Sequence, residues 1–234
     1  ITWDAHCDRN NSIYISGRYT TFNGSGTNAK YLVKLNSDGT KDSTFSQGSG
    51  FNFYVKEIRT DANNDLYVSG EFSNYNGVEA NRIIKLNGVT GAKDTSFDNS
   101  TGFNNQVEGM TVMPNGKIAC VGSFTTYKGA ASDYFAVLNP DGSKDTNYGV
   151  LNGRTTAIAA DNENRLYAAG AFTTYAGTSA LNFVRINSDG SIDNTCKGIA
   201  TGDNQYFKLL AIDWNGDIIL GGNLSKYNNT TVYG

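Results

Sequence analysis

The sequence of 234 residues has little proline, few cysteines, a single histidine and no long apolar run. Membrane insertion is not expected, because no apolar stretch approaches the roughly 20 residues of a membrane helix. The net charge is −3 and the basic residues are scattered, so we expect no nucleic-acid partner. With His6 as the one histidine, a nucleophile activated by a neighbouring histidine is also not expected.

The three cysteines, Cys7, Cys120 and Cys196, cannot all pair, and none lies in a Cys-x-x-Cys motif. We interpret them as small buried apolar side chains rather than as disulfide or metal-binding residues. No metal site and no cofactor is predicted.

A repeat of about fifty residues runs through the chain. Each copy has an apolar run that ends in glycine, then a large apolar residue two positions on and an aromatic three positions after that. The five glycines are Gly17, Gly70, Gly122, Gly170 and Gly222. A second apolar segment precedes each run across a polar Asn- or Gly-bearing turn, as in an antiparallel hairpin.

A third apolar segment follows each of the first four runs and ends at an asparagine, for example Tyr31 to Leu35 and Arg82 to Leu86. A turn with glycine and aspartate then leads into a short fourth segment. We therefore predict an all-β fold, a β-propeller of tandem four-stranded blades, with less than about 5% α-helix.

The chain is predicted to be a single domain, 1–234, with units of approximately 1–54, 55–106, 107–154, 155–206 and 207–234. Four units are complete and the fifth is partial. We expect that the chain is truncated at its C-terminal end, or that a partner strand completes the fifth blade.

The pattern of an apolar run into Gly-x-Phe, a strand ending in Leu-Asn, and Asp-Gly-x-x-Asp before an aromatic resembles the delta-60 repeat family. The segments Val55 to Phe97 and Thr155 to Cys196 carry the resemblance best, although Cys196 replaces the aromatic. The resemblance implies a propeller of the kind found in bacterial surface or secreted proteins and in phage tail or virion proteins. It implies no shared chemistry.

Residues that recur in every unit are interpreted as structural. The glycines are expected to allow a bulge or a close blade-to-blade approach. The aromatics that follow them, Phe22, Tyr75, Tyr127, Tyr175 and Tyr227, are expected to pack rather than to stack on sugars. The aspartates of the Gly-bearing turns are expected to accept backbone hydrogen bonds rather than to bind calcium.

Function is therefore sought where the units differ. If the first strand is innermost, the connections between blades share one face with those between the second and third strands. Four residues at equivalent positions just before the first strand are the candidate ligand-binding residues: Tyr54, Gln106, Arg154 and Tyr206. Such side chains on loops held by a rigid scaffold are typical of binding surfaces.

These observations favour a non-enzymatic interaction or structural module of an extracellular, cell-surface or virion protein, such as a phage tail fibre or an adhesin. Its expected partners are other protein subunits or surface glycans, which it contacts through the loop face. One alternative is a carbohydrate-active enzyme with carboxylates lining the propeller channel. A second is a purely architectural array of blades.

Overall fold

The computed structural model describes residues 1–22, 29–196, 206–223, 226–227 and 230–231; for 206, 226, 227, 230 and 231 only the backbone is described. Every regular element in these ranges is a β-strand, which confirms the predicted all-β class. The same ranges contain no helix that could cross a membrane.

Each unit begins with two long antiparallel strands, numbered here along the chain. The inner strands are β1 (Thr2–Cys7), β4 (Val55–Thr60), β9 (Val107–Val112), β14 (Thr155–Ala160) and β19 (Tyr206–Ile212). Each pairs with the strand that follows it: β2 (Ile13–Gly17), β5 (Leu66–Gly70), β10 (Ile118–Gly122), β15 (Leu166–Gly170) or β20 (Ile218–Asn223). The predicted hairpins are thereby confirmed.

The third strands are β3 (Leu32–Leu35), β8 (Ile83–Leu86), β13 (Phe135–Leu138) and β18 (Phe183–Ile186). Each starts one residue later than predicted. The residue before it has a positive φ, at 66° for Tyr31, 68° for Arg82, 61° for Tyr134 and 61° for Asn182. Because side chains rarely adopt this left-handed conformation, the chain enters each third strand through a locally strained turn.

The predicted fourth strand is reduced to a single bridge in the four units where the structure describes it. The bridges join Leu35 to Lys41, Leu86 to Lys93, Leu138 to Lys144 and Ile186 to Ile192. Beyond each bridge an aspartate accepts hydrogen bonds from a residue two positions on, as Asp42 does from Thr44 and Asp193 from Thr195. These contacts confirm the interpretation of the aspartates as turn residues, and they end the pairing early.

Short hairpins lie between the second and third strands. They are β6 (Asn74–Tyr75) with β7 (Val78–Glu79), β11 (Thr126–Tyr127) with β12 (Ala130–Ala131), β16 (Thr174–Tyr175) with β17 (Thr178–Ser179), and β21 (Lys226–Tyr227) with β22 (Thr230–Thr231). The Asn52 side chain in the inter-blade loop accepts hydrogen bonds from the backbone of Ser73 and Asn74, and Asn104 and Asn152 repeat this contact. The two sets of connections therefore share one face, as predicted.

Successive blades bury apolar side chains against each other. One cluster joins Tyr14 and Leu32 of the first unit to Val55, Ile58 and Val68 of the second. Strands β5, β10 and β15 are buried along their whole length, because both of their faces meet a neighbouring blade. Burial of such side chains stabilises the fold by about 1.5–3 kcal/mol each.

The repeated aromatics belong to this packing. Tyr75, Tyr127 and Tyr175 are buried, and their hydroxyls donate hydrogen bonds to the backbone carbonyls of Gly91, Gly142 and Gly190. Their predicted role in packing is confirmed. Phe22 is partly buried, and the side chain of Tyr227 lies outside the described residues.

The cysteines differ in their surroundings. Cys120 is buried, Cys196 is partly buried, and all three thiols are free. The interpretation as small buried side chains is right for Cys120 and wrong for Cys7, which is exposed at the end of β1.

The inner strands pack side by side in chain order: β1 contacts β4, β4 contacts β9, β9 contacts β14, and β14 contacts β19. Their side chains surround a central opening, which is called the channel below. The channel is the place where residues from all of the inner strands come together.

Candidate functional site

A β-bulge recurs near the start of every inner strand. In β4, for example, Val55 pairs with Gly70 and Glu57 pairs with Ser69, so that Lys56 has no partner in the ladder. The residues skipped in this way are Trp3, Lys56, Glu108, Thr156 and Lys208. A bulge bends the strand and re-aims the extra side chain, and bulges are common beside functional sites.

The repeated glycine makes the bulge possible. A Cβ on Gly122 would lie 2.3 Å from the backbone oxygen of Gln106, and a Cβ on Gly70 would lie 2.3 Å from that of Tyr54. The residue after the glycine donates a hydrogen bond to the same carbonyl, as Ser123 does to Gln106 at 3.2 Å. This geometry confirms the predicted role of these glycines in a bulge, and it holds the residue before each inner strand at the channel edge.

The bulged residues line a cavity of about 320 Å³ together with Glu57. A second cavity of about 190 Å³ shares Trp3, Glu57, Thr156 and Lys208 with the first and extends along the inner strands. We call the two together the channel cavity. Carboxylate, ammonium, hydroxyl and indole groups from different blades therefore face one space.

Two of the predicted residues, Gln106 and Arg154, do not line the cavity themselves. Each is hydrogen-bonded to Glu108, which does. The Arg154 guanidinium makes two hydrogen bonds to the Glu108 carboxylate, from Nε to Oε1 at 2.8 Å and from Nη2 to Oε2 at 2.6 Å. Gln106 Nε2 donates to Glu108 Oε1 at 3.1 Å, and Gln106 Oε1 accepts from Lys56 Nζ at 3.0 Å. A bidentate arginine–carboxylate pair is strong and fixes its geometry.

The electrostatics of Glu108 follow from these contacts. Burial acts to raise the pKa of Glu108, but hydrogen bonds from Arg154 and Ser123 outweigh it, so the pKa lies below its ordinary value. Glu108 is therefore ionised at neutral pH. Half of the Arg154 side chain is exposed, whereas the Glu108 side chain is almost fully buried.

A third predicted residue, Tyr54, belongs to an aromatic cluster at the same edge. Its ring centroid lies 4.8 Å from that of Trp3, 4.1 Å from that of Phe53 and 5.5 Å from that of Tyr31. Trp3 and Phe53 are 41% and 42% exposed, which is unusual for such large apolar side chains. The Arg18 guanidinium lies 5.7 Å from the Tyr54 ring centroid.

The fourth predicted residue, Tyr206, is placed only by its backbone. It pairs with Asn223 at the start of β19, and its side chain lies outside the described residues. Tyr54, Gln106 and Arg154 thus each contact a residue that lines the channel cavity, from equivalent positions of successive blades. Their role in binding a ligand stays a prediction.

Deeper in the channel one arginine joins two carboxylates. Arg59 Nη1 lies 2.8 Å from Asp4 Oδ2, and Arg59 Nη2 lies 2.7 Å from Glu57 Oε2. Burial raises the pKa of Glu57 to about 7, against the opposing charge of Arg59 and with a small addition from Asp4. The Glu57 carboxyl is therefore partly protonated near neutral pH.

The single histidine lies beside this group on β1. His6 Nε2 is 2.8 Å from Thr60 Oγ1, and burial followed by the charge of Arg59 lowers the pKa of His6. It is thus a strand histidine with a hydrogen-bonding neighbour, and it lines neither part of the channel cavity.

Sequence reasoning missed the bulged residues and the acids of the inner strands. A signal for them exists, because the residue two positions after Ile1, Tyr54, Gln106, Arg154 or Tyr206 differs in kind from unit to unit. These residues are Trp3, Lys56, Glu108, Thr156 and Lys208.

The family described as a domain of unknown function (DUF5122) beta-propeller matches residues 9–45, 62–97, 114–148 and 164–195, which is more than half of the chain. The chain belongs to the DUF5122 β-propeller family. The match confirms a β-propeller repeat family, and the narrower resemblance to delta-60 repeats stays a prediction. No curated protein matches the chain.

Several solved structures are similar to this DUF5122 propeller. One is the extracellular domain of BT4673, a putative one-component system from B. thetaiotaomicron, with 14% identity and a TM-score of 0.57 over 95% of this chain and 25% of that one. Another is XC5397, a gluconolactonase from Xanthomonas campestris, with 11% identity and a TM-score of 0.56 over 94% of this chain and 69% of that one. A third is a putative gluconolactonase, with 10% identity and a TM-score of 0.55 over 94% of this chain and 71% of that one.

At these identities the likeness shows the propeller fold alone. The chain spans about a quarter of the length of the BT4673 domain and about two thirds of the length of the gluconolactonase.

Proposed function

We propose that this propeller is a non-enzymatic binding module that holds a saccharide at the mouth of the channel. The observation that carries the proposal is the exposed aromatic cluster of Trp3, Phe53 and Tyr54 directly beside the hydrogen-bonding group of Lys56, Gln106, Glu108 and Arg154. Binding sites combine aromatic surface with a few fixed polar groups that set orientation.

The polarity of the channel cavity favours a saccharide over an apolar ligand. An apolar molecule would strip water from Lys56, Glu57 and Lys208, which all line the cavity, and it would offer them no hydrogen bonds in return. A sugar has hydroxyls for such groups and an apolar ring face for an aromatic side chain. The amphipathic rings of tryptophan and tyrosine suit this kind of ligand.

The fixed position of Glu108 supports binding, whereas the raised pKa of Glu57 is the feature that favours the alternative, a carbohydrate-active enzyme. Asp4 and Glu57 are contacted by Arg59, and Glu108 by Arg154, so that each carboxylate already has a cationic partner. In this arrangement Glu108 orients Arg154 and Gln106, whose own side chains are then preorganised for a ligand. An extracellular or cell-surface setting is part of the proposal, and the extracellular BT4673 domain is a propeller of similar fold.

The experiment is a glycan array probed with the purified chain and with Tyr54→Ala and Arg154→Ala variants. We expect one class of saccharide to bind, and we expect each variant to weaken that binding about tenfold or more, because each removes a contact at the channel mouth. Tyr54→Ala should change the melting temperature little, because the side chain is partly exposed. Arg154→Ala should also lower it, because the almost fully buried Glu108 carboxylate then loses its cationic partner.

The control is Tyr148→Ala, since Tyr148 packs between blades, donates a hydrogen bond to the carbonyl of Ser188 and lines neither part of the channel cavity. It should lower the melting temperature and leave the affinity unchanged. Normal binding by the Tyr54 and Arg154 variants would contradict the proposal. New reducing ends on a bound oligosaccharide would instead favour the carbohydrate-active enzyme.

A further inference from the structure

The cations around the channel cavity differ in whether they already have a carboxylate partner. Lys56 Nζ lies 2.8 Å from Glu71 Oε1, and Arg154 is bound to Glu108. Lys208, which lines both parts of the cavity, is exposed and forms no ion pair with any residue that the structure describes. Among the residues that the structure describes, Lys208 on β19 is thus the ammonium group of the cavity that has no carboxylate partner.

Lys208 occupies the bulge of β19, the same position that Trp3 occupies in β1 and Lys56 in β4. The bulge turns all three side chains toward the cavity. Lys56 Nζ also lies 5.9 Å from the Trp3 ring centroid, which places a second ammonium beside the aromatic cluster. A ligand stacked on Trp3 therefore lies in a space that has cations on two of its sides.

The carboxylates of the cavity reduce this positive charge less than their number suggests. Glu108 is ionised, but the positive charge of Arg154, which donates two hydrogen bonds to it, balances its negative charge. Burial raises the pKa of Glu57 to about 7, so this side chain is partly neutral near pH 7. Asp4, the third carboxylate of the cavity, is paired with Arg59. An anionic group would thus meet Lys208, and Lys56 shared with Glu71, with reduced repulsion at neutral or mildly acidic pH.

We infer that the ligand of the channel mouth is an acidic saccharide, one that carries a carboxylate or a similar anionic group, and that Lys208 is the residue that selects it. The inference rests on the proposed saccharide-binding function. It adds that the charge of the ligand, and not only the stacking of a sugar ring on Trp3, determines which saccharide binds. The Thr156 hydroxyl also lines the cavity, but it donates its proton to the carbonyl of Phe207 at 2.6 Å, so the selection of an anionic group falls to Lys208.

The test compares oligosaccharides terminated by galacturonate, glucuronate or sialate with their methyl esters, in which a methyl group replaces the negative charge. We expect the acid form of at least one pair to bind roughly tenfold more tightly than its ester. Lys208→Gln should remove this preference, and Lys208→Arg should keep most of it. The preference should also shrink as the salt concentration rises.

Lys93→Gln is the matched control, because Lys93 lies at the outer bridge of its blade and its Nζ donates to the carbonyl of Glu79, away from the channel. It should bind like the unaltered chain. If acid and ester bind equally, or if Lys208→Gln keeps the preference, the inference is wrong while the binding function stands. If no acidic or neutral saccharide binds, both fail.

Discussion

Replacing Gly122 by alanine is expected to destabilise the protein by about 3 kcal/mol or more. The added Cβ would lie 2.3 Å from the backbone oxygen of Gln106 and 3.1 Å from the backbone nitrogen of Glu108. Neither atom can rotate away, so the bulge of β9 would have to reorganise. In a chain of this size the loss corresponds to a drop in melting temperature of roughly 6–12 °C.

The control is Gly129→Ala. Gly129 has a φ of +77°, and nothing lies within 4 Å of where its Cβ would be, so the cost is limited to backbone strain of about 1 kcal/mol. Thermal unfolding followed by circular dichroism compares the two. Equal effects would show that the bulge does not depend on the absence of a Cβ at Gly122.

Replacing Glu57 by glutamine is expected to stabilise the protein at pH 8 and to have little effect at pH 4.5. Burial raises the pKa of Glu57 to about 7, from an unfolded value near 4.3. Between these values the folded state binds more protons than the unfolded state, so stability falls as the pH rises. Above pH 7 the full cost is present, about 1–3 kcal/mol.

Glutamine resembles the protonated acid and does not carry this cost. The difference in melting temperature between the variant and the unaltered chain should therefore grow from near zero at pH 4.5 to roughly 3–10 °C at pH 8. Glu79→Gln serves as the control, since Glu79 is exposed on β7 and should show no such trend. If the melting temperatures of Glu57→Gln and of the unaltered chain change with pH in parallel, the pKa of Glu57 in the folded protein is not raised, and this prediction is wrong.

The blades could be predicted from the sequence because one pattern occurs five times. In the first four units the glycine is the last residue of the second strand. Gly70 and Gly122 are required for the same reason, a backbone oxygen 2.3 Å from where the Cβ would be. The start of the third strand was less predictable. Residues such as Tyr31 and Arg82 have β-forming side chains, but the tight turn imposes a positive φ on them.

The site was only partly predictable, since it depends on contacts between blades. Tyr54, Gln106 and Arg154 could be found because they occupy equivalent positions and differ in kind. That Glu108 would bind Arg154 from the next blade depends on the angle between β9 and β14, which no local pattern specifies. The same holds for Asp4 of β1 and Arg59 of β4.

The central claim, that a saccharide binds at the mouth of the channel, is tested most directly by the fluorescence of Trp3. The chain has two tryptophans, and Trp214 is 92% exposed, so Trp214→Phe leaves Trp3 as the only reporter. We predict that the saccharide selected on the array changes the Trp3 emission saturably, with the same dissociation constant as calorimetry gives. Binding seen by calorimetry with unchanged Trp3 emission would place the ligand elsewhere and contradict the claim.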